Sequence, residues 1–397
     1  MGTEHLQERR GERPGEGAAP PRASGAGAIA VERLRRRFAS RRFLVLLGVY
    51  AIVLLALTLL SAVIAWAFAT LSGGGDTGPL IFSSVVFWLL LLAIFAGPAV
   101  QGRALNGSPA GATAPGRPTA PARPAAPARA AATVIGALLA EWVTSLAFVA
   151  LALPILLVVA VAGGVAAPVV IGSVAILIGE ILLLAAVAVG LSGVIARPGR
   201  SVAAAYAVVV GLTVGTVLIF ALVGNLVRHE VVTQSRGVSW SSTDLIADCE
   251  EALADGASDC VEDADGEGVT TCEAWQTTTS DRARLDLAWW VLVPNPFVLV
   301  ADAAPLTWQG SMQSPADLFG MVTFGVRQAQ IAGETTETLD ACTIDGQDAA
   351  STVPALVERT TPTWYLGLLV QAVLAAALLA GAVSRRTPGS KAPVRAE

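Results

Sequence analysis

Three stretches decide the fold: residues 133–162 (TVIGALLAEWVTSLAFVALALPILLVVAVA), 169–195 (VVIGSVAILIGEILLLAAVAVGLSGVI) and 202–227 (VAAAYAVVVGLTVGTVLIFALVGNLV). Each exceeds the ~20 apolar residues that carry a helix across ~30 Å of hydrocarbon. The joints between them are short: Gly163-Gly164-Val165-Ala166-Ala167-Pro168, then Arg197-Pro198-Gly199-Arg200. Helices joined this tightly are antiparallel neighbours. Thr133 to Val227 therefore reads as the heart of a membrane bundle.

Composition agrees. Hydrophobic residues make up 54% of the chain and charged residues only 14%, against about 25% charged in soluble domains. The net charge of −5 conceals a segregation of charge along the sequence. Lys391 is the single lysine beside 25 arginines, in a chain rich in Ala, Gly and Pro, the mark of a GC-rich gene. No basic patch is interleaved with aromatic residues, which excludes a nucleic-acid partner.

Outward from the centre, residues 1–28 are rich in Gly, Pro, Glu and Arg and read as a disordered tail. Residues 29–42 (IAVERLRRRFASRR) place Ile29, Leu34 and Phe38 on one helical side among six arginines. They read as an interfacial amphipathic helix or as a basic topological anchor. A first span covers 43–71, too long for a signal-peptide core, and a second covers 80–100. The loop 101–132 carries Arg103, Arg117, Arg123 and Arg129 and no acid. The third, fourth and fifth spans are the three stretches above. Residues 228–361 hold 22 of the 31 acidic residues, six arginines and all four cysteines. The sixth span is expected within 362–384, and the tail 385–397 carries Arg385, Arg386, Lys391 and Arg395.

Cytoplasmic loops favour arginine and lysine. Both termini, the 101–132 loop and Arg197/Arg200 are thus expected inside, and the acidic segment outside. The expected fold is an all-α polytopic membrane protein of six transmembrane helices, with a large extracytoplasmic segment between the fifth and sixth. Leu287 to Leu306 (LAWWVLVPNPFVLVADAAPL) is apolar, but Pro294 and Pro296 flank Asn295 at its centre and oppose a continuous helix. A seventh span would also place the C-terminal basic cluster outside. The stretch reads as an interfacial or re-entrant element, or as a core segment of the outer domain.

Cys249, Cys260, Cys272 and Cys342 all fall in the segment expected outside, where disulfides persist. Four cysteines allow three pairings. Short spacing favours Cys249–Cys260, leaving Cys272–Cys342. A metal site is the competing reading, without a CxxC pair and with His229 as the only nearby histidine. The acidic run Asp255 to Glu267 lacks the spacing of a calcium loop.

Two acids fall within spans. Glu180 lies near the centre of the fourth, where an ionisable group costs at least ~2.5–3.5 kcal/mol unless paired, protonated or wet. It reads as a functional group facing a cavity, or as a protonated glutamate hydrogen-bonded between helices. Glu141 lies near the cytoplasmic end of the third span and is expected to reach the interface. There is no nucleophile–base constellation, phosphate-binding loop or metal-ligand motif, so no catalytic residue and no metal ligand is expected.

The chain resembles the type 2 ABC exporter permeases, in a high-GC actinobacterial branch. The likeness rests on six spans arranged 2+3+1 with the large outer loop before the last. It also rests on Gly97-Pro98-Ala99 through Ala104-Leu105-Asn106-Gly107, on Leu138-Leu139-Ala140 with Trp142, and on Ala196-Arg197-Pro198-Gly199. Its most specific residues are Trp289-Trp290, Asn295-Pro296-Phe297 and Val300-Ala301-Asp302-Ala303-Ala304-Pro305. It extends over about Phe43 to Arg386. The resemblance implies a permease subunit in the bacterial plasma membrane, pairing with a copy of itself or with a related permease. It implies a separate ATP-binding-cassette ATPase that binds ATP and Mg²⁺, with no cofactor on this chain. The loop at Asn106-Gly107 would couple to that ATPase, and Glu180 would line the translocation path. The chain departs from the family pattern just after Asn106-Gly107. Residues 108–132 consist almost wholly of Ala, Pro, Arg, Gly and Thr, with five prolines from Pro115 to Pro127. They read as a proline-rich linker or as a coupling helix lost to two compensating frameshifts. A non-transporting, membrane-anchored envelope-binding protein is the alternative function.

Overall fold

A computed structural model describes residues 25–71, 76–101, 104–105, 127–239, 260–262, 269–309, 314–333, 335–340, 357 and 359–387. A basic helix α1 (Ala26–Phe38) precedes α2 (Arg41–Leu71), α3 (Gly78–Gln101), α4 (Pro127–Ala162) and α5 (Ala167–Val194). Next comes α6 (Pro198–Leu226), whose middle residues Gly211–Gly215 form a π-helical turn. Two short helices follow, α7 (Pro296–Asp302) and α8 (Leu318–Gln328), and then α9 (Trp364–Arg386). Six of these helices, α2 to α6 and α9, are long and apolar enough to cross a membrane. That makes the chain multi-pass by length and composition.

The end of the bundle that carries Arg37, Arg197, Arg385 and Arg386 is called the basic end below, and the opposite end the far end. The basic run 29–42 is not one helix: it divides at Ala39–Ser40 between α1 and α2.

The centre of the molecule is α5. In its most apolar window 61% of the residues are buried, against 17% in α2 and α6. It packs against α3, α4, α6 and α9. Small residues permit the closest approach, as they do between helices in lipid. A Cβ on Gly190 would lie 2.6 Å from Leu378 Cβ, and one on Gly193 would collide with Ala382. The main core joins Phe82, Val85, Leu89, Val149, Leu156, Leu177 and Ile181 to Val300, Ala301 and Phe319 from the short helices. Helix α2 is more loosely held. It docks through Trp88 Nε1–H to Ser61 Oγ at 3.0 Å and through Phe43 and Tyr50, which stack edgewise on Phe148.

The segment between α6 and α9 adds strands to the helical bundle. In one sheet, β1 (Arg228–Arg236) pairs antiparallel with β5 (Gln276–Ala283) and parallel with β8 (Thr336–Asp340). In another, β4 (Val269–Cys272) lies between β2 (Val238–Ser239) and β3 (Cys260–Glu262). A small ribbon joins β6 (Trp308–Gln309) to β7 (Ser314–Pro315). The β1–β5 register runs from Arg228 opposite Ala283 to Ser235 opposite Gln276. It brings the chain back to the exit of α6, where Arg284 N–H donates to Val227 O at 2.8 Å. Everything after Arg284 therefore starts against the far end of the bundle.

Candidate functional site

The apolar stretch after Arg284 enters the bundle. Two 3-10 turns, Leu285–Leu287 and Trp289–Leu292, lead to Pro294 and Asn295, and α7 runs on from Pro296. The prolines that forbid a spanning helix shape this hairpin. Asn295 stands at its tip and accepts from Phe297 N at 3.0 Å, capping α7. Its amide donates to Thr213 O and to Thr216 Oγ1, both at 2.9 Å. Thr213 lies in the π-turn of α6, where the regular hydrogen-bond ladder is disturbed and a carbonyl is available to a partner. One buried asparagine thus fixes both the hairpin tip and the irregular turn that receives it.

Glu180 meets the same tip from the other side. It is fully buried, and its Oε1 accepts from Gln371 Nε2 at 2.7 Å. Gln371 also donates to Pro294 O at 3.1 Å, so α5, the hairpin and α9 share one polar contact. Glu180 follows Ala167 by thirteen residues, which places the tip roughly 20 Å along α5 from the far end. Glu180 Oε2 has no partner among the described residues. The second of the two readings for this residue, hydrogen bonding between helices, describes its surroundings.

The other end of the hairpin is held by Asp302. Its carboxylate receives Arg327 Nε at 2.7 Å, Thr363 Oγ1 at 3.0 Å and Trp364 N at 3.2 Å, together with Thr363 N–H. The last two amides open α9, so the acid also meets the favourable end of a helix dipole. Gly367 lets α9 press against Val293 O and Leu299, where any Cβ would collide. On the opposite flank a Cβ on Gly172 would lie 2.8 Å from Ala303 O.

An apolar cavity lies in the basic half of the bundle, among α2, α3, α4, α5 and α6. Leu89, Ile94, Leu177, Leu184 and Val209 are typical of its walls, and Tyr50, Thr144 and Ser145 contribute hydroxyls. Glu180 is absent from its lining; it projects from α5 toward α9.

At the basic end the sequence concealed an ion pair. Glu141, expected at the interface, is 2% exposed and bound by both arms of Arg37, at 2.7 and 2.8 Å. Arg37 also reaches Thr144 Oγ1 at 2.9 Å. Helix α1 is seated so closely on α4 that a Cβ on Gly136 would lie 2.7 Å from Ala26 O. The turn Ala104–Leu105 is held by three helices at once. Arg33 of α1 donates to Ala104 O at 2.8 Å, Arg386 of α9 to Leu105 O at 2.9 Å, and Leu105 N–H to Ser192 Oγ of α5 at 3.3 Å. Burial lowers the pKa of the Arg33 guanidinium, opposed by the nearby Glu141 carboxylate.

Asn106 and Gly107 lie outside the described residues, as do residues 108–126, Cys249 and Cys342. Cys260 and Cys272 fall on β3 and β4 of one sheet, with Cys260 opposite Thr271. Among the described residues no three His, Cys, Asp or Glu gather as a metal site. No known protein family, curated protein or solved structure matches this chain.

Proposed function

We propose that this chain is the membrane-spanning permease subunit of an ATP-driven exporter. In this reading it works with a separate ATP-binding-cassette ATPase that carries ATP and Mg²⁺, and it pairs with a second copy or with a related permease. The arginine bias assigns the basic end to the cytoplasm of a bacterial plasma membrane. The acidic segment then lies outside, with its cysteines in a compartment that permits disulfides.

One observation carries the reading. The turn Ala104–Leu105, at the mouth of the loop expected to dock on an ATPase, is gripped by α1, α5 and α9 through Arg33, Ser192 and Arg386. In this reading a push transmitted through that turn is passed on to the central helix and the last helix. Those same two helices hold the hairpin at the other end through Glu180 and Gln371. The arrangement forms a mechanical line from the loop to the hairpin, with the cavity beside it as a passage for apolar cargo.

Site-specific photo-crosslinking tests this. A photoreactive residue at Gly107, in the protein expressed in its own host, is expected to give one major adduct with an ATP-hydrolysing subunit. An Asn106 substitution serves as the companion position. Failure of both positions to trap such a subunit, in folded and abundant protein, would overturn the reading.

A further inference from the structure

We propose that the outward face of α1 is a docking surface for the lipid leaflet at the basic end, taking acyl chains on Val31 and Phe38 and anionic headgroups on Arg35, Arg41 and Arg42. Such a surface needs only that the long helices span a membrane, so it stands or falls apart from the exporter reading.

Ile29, Leu34 and Phe38 share one side of this helix in the sequence, and the structure divides them. Ile29 turns to α4, where a Cβ on Gly136 would lie 2.9 Å from Ile29 Cβ. Ala30 is buried beside it, and Arg37 is taken by Glu141. Away from that seat Val31 is 64% exposed and Phe38 37%, with Leu34 half-buried. Positions 31, 34 and 38 fall on one stripe of a helix. Glu32 and Arg36, paired at 2.6 Å, form a charged stripe, and Arg35 stands between the two. An apolar stripe beside a charged one is the pattern of a helix lying in a bilayer surface.

Two neighbours set the depth of α1. It is seated on α4 between Gly136 and Thr144, and over that stretch α4 turns Leu139 and Val143 outward. Phe38 meets Phe43 edgewise, with ring centroids 5.0 Å apart, and the next residues of α2, Leu44 and Val45, are exposed. The apolar stripe of α1 is thus continuous with exposed apolar surface of a helix long enough to span. One hydrocarbon layer covers both.

Charge complementarity fixes the lipid class. Glu32 and Glu141 pair with Arg36 and Arg37. Arg35, Arg41 and Arg42 are exposed and make no ion pair with any described residue. Long arginine side chains extend from apolar surroundings to keep their heads at the interface, and basic residues beside a bilayer attract anionic headgroups.

The test uses the full-length protein in nanodiscs of equal parts phosphatidylglycerol and phosphatidylcholine, with a photoreactive residue placed in turn at Val31, Phe38 and Glu32. Positions 31 and 38 are expected to give lipid adducts, and position 32 only a small fraction of their yield. Mass spectrometry of the adducts should show phosphatidylglycerol over phosphatidylcholine by about 5-fold or more, the effect of one surface arginine. Arg35→Gln, Arg41→Gln and Arg42→Gln together, in folded protein, should return that ratio to the bulk mixture while adducts at 31 and 38 persist. Equal yields from the three positions, a wild-type ratio matching the bulk mixture, or a ratio unmoved by the triple variant would each overturn the proposal. So would adducts that join two protein chains in place of lipid.

Discussion

Glu180 is the most exacting residue in the molecule. One carboxylate oxygen is satisfied by Gln371, and the other has no partner among the described residues. A neutral glutamine at this position keeps the acceptor and removes the charge. Glu180→Gln is therefore expected to leave thermal stability within about 1 kcal/mol of wild type. Gln371→Leu strips Glu180 of its donor and should cost about 2 kcal/mol or more, the penalty for an unsatisfied buried group. Thermal unfolding of the two variants in detergent compares them, and equal losses would contradict this assignment. Glu180 was conspicuous in the sequence because a mid-span acid is costly. Its partner was not, since one glutamine in the sixth apolar run carries no mark of which helix it faces.

Asp317 allows a test with pH. It is 4% exposed and caps α8 through Gly320 N–H at 2.7 Å. Burial raises its pKa, partly offset by the Gly320 hydrogen bond. A carboxyl whose folded pKa lies above its unfolded value favours folding at low pH, and that contribution is lost as pH rises through the folded value. Asp317→Asn retains a cap acceptor without the buried charge. The variant should gain stability over wild type near neutral pH, with the gain shrinking toward pH 4. Melting curves across that range would show it, and a gain that instead grows on acidification would refute it.

Among the elements, the hairpin after Arg284 shows how far a sequence can be read. Two prolines around Asn295 opposed a spanning helix and left an interfacial or re-entrant element, or a core segment of the outer domain, as the readings. What the sequence left open was depth. Depth is set by tertiary partners: Thr213 and Thr216 on α6, Gln371 on α9, and the Gly172 and Gly367 contacts. None of these produces a periodic signal. Asn295→Leu removes both the cap and the pin on the π-turn. It is expected to expose the hairpin, so that a cysteine introduced at Ala303 reacts faster with a membrane-impermeant maleimide. Unchanged labelling would show that the asparagine does not hold the hairpin.

Helix α1 gives a second lesson at this scale. Its arginines marked a basic helix at a boundary, yet the bond that seats it joins residues 104 positions apart. Glu141 looked free to reach solvent because it sits near the end of an apolar run, and α1 covers that end. Removing one partner of a buried pair costs about 3–5 kcal/mol. Arg37→Leu should approach that loss by thermal unfolding, and adding Glu141→Leu should recover much of it. Additive losses in the double variant would deny the coupling.

For the whole molecule, the six long helices were legible to within a few residues. Membrane spanning is a property of run length and apolarity, which one sequence displays directly. The strands between α6 and α9 were not legible, since that polar segment lacks the alternation that announces a buried strand face. The centrality of α5 was foreshadowed by its place among three tightly joined runs, and its small residues Gly190 and Gly193 provide the physical reason. The line from the Ala104–Leu105 turn through α5 and α9 to the hairpin emerges only in three dimensions. Arg33→Ala combined with Arg386→Ala should loosen that turn while leaving the bundle folded. In a purified complex it is expected to retain the ATPase while uncoupling hydrolysis from export, measured as ATP turnover against cargo efflux.

The most direct test of the central claim is gentle-detergent purification of the tagged protein from its native host, with quantitative mass spectrometry of its companions. An ATP-binding-cassette subunit at near-equal stoichiometry is the predicted result. A folded, abundant protein that brings no such subunit would contradict the exporter account.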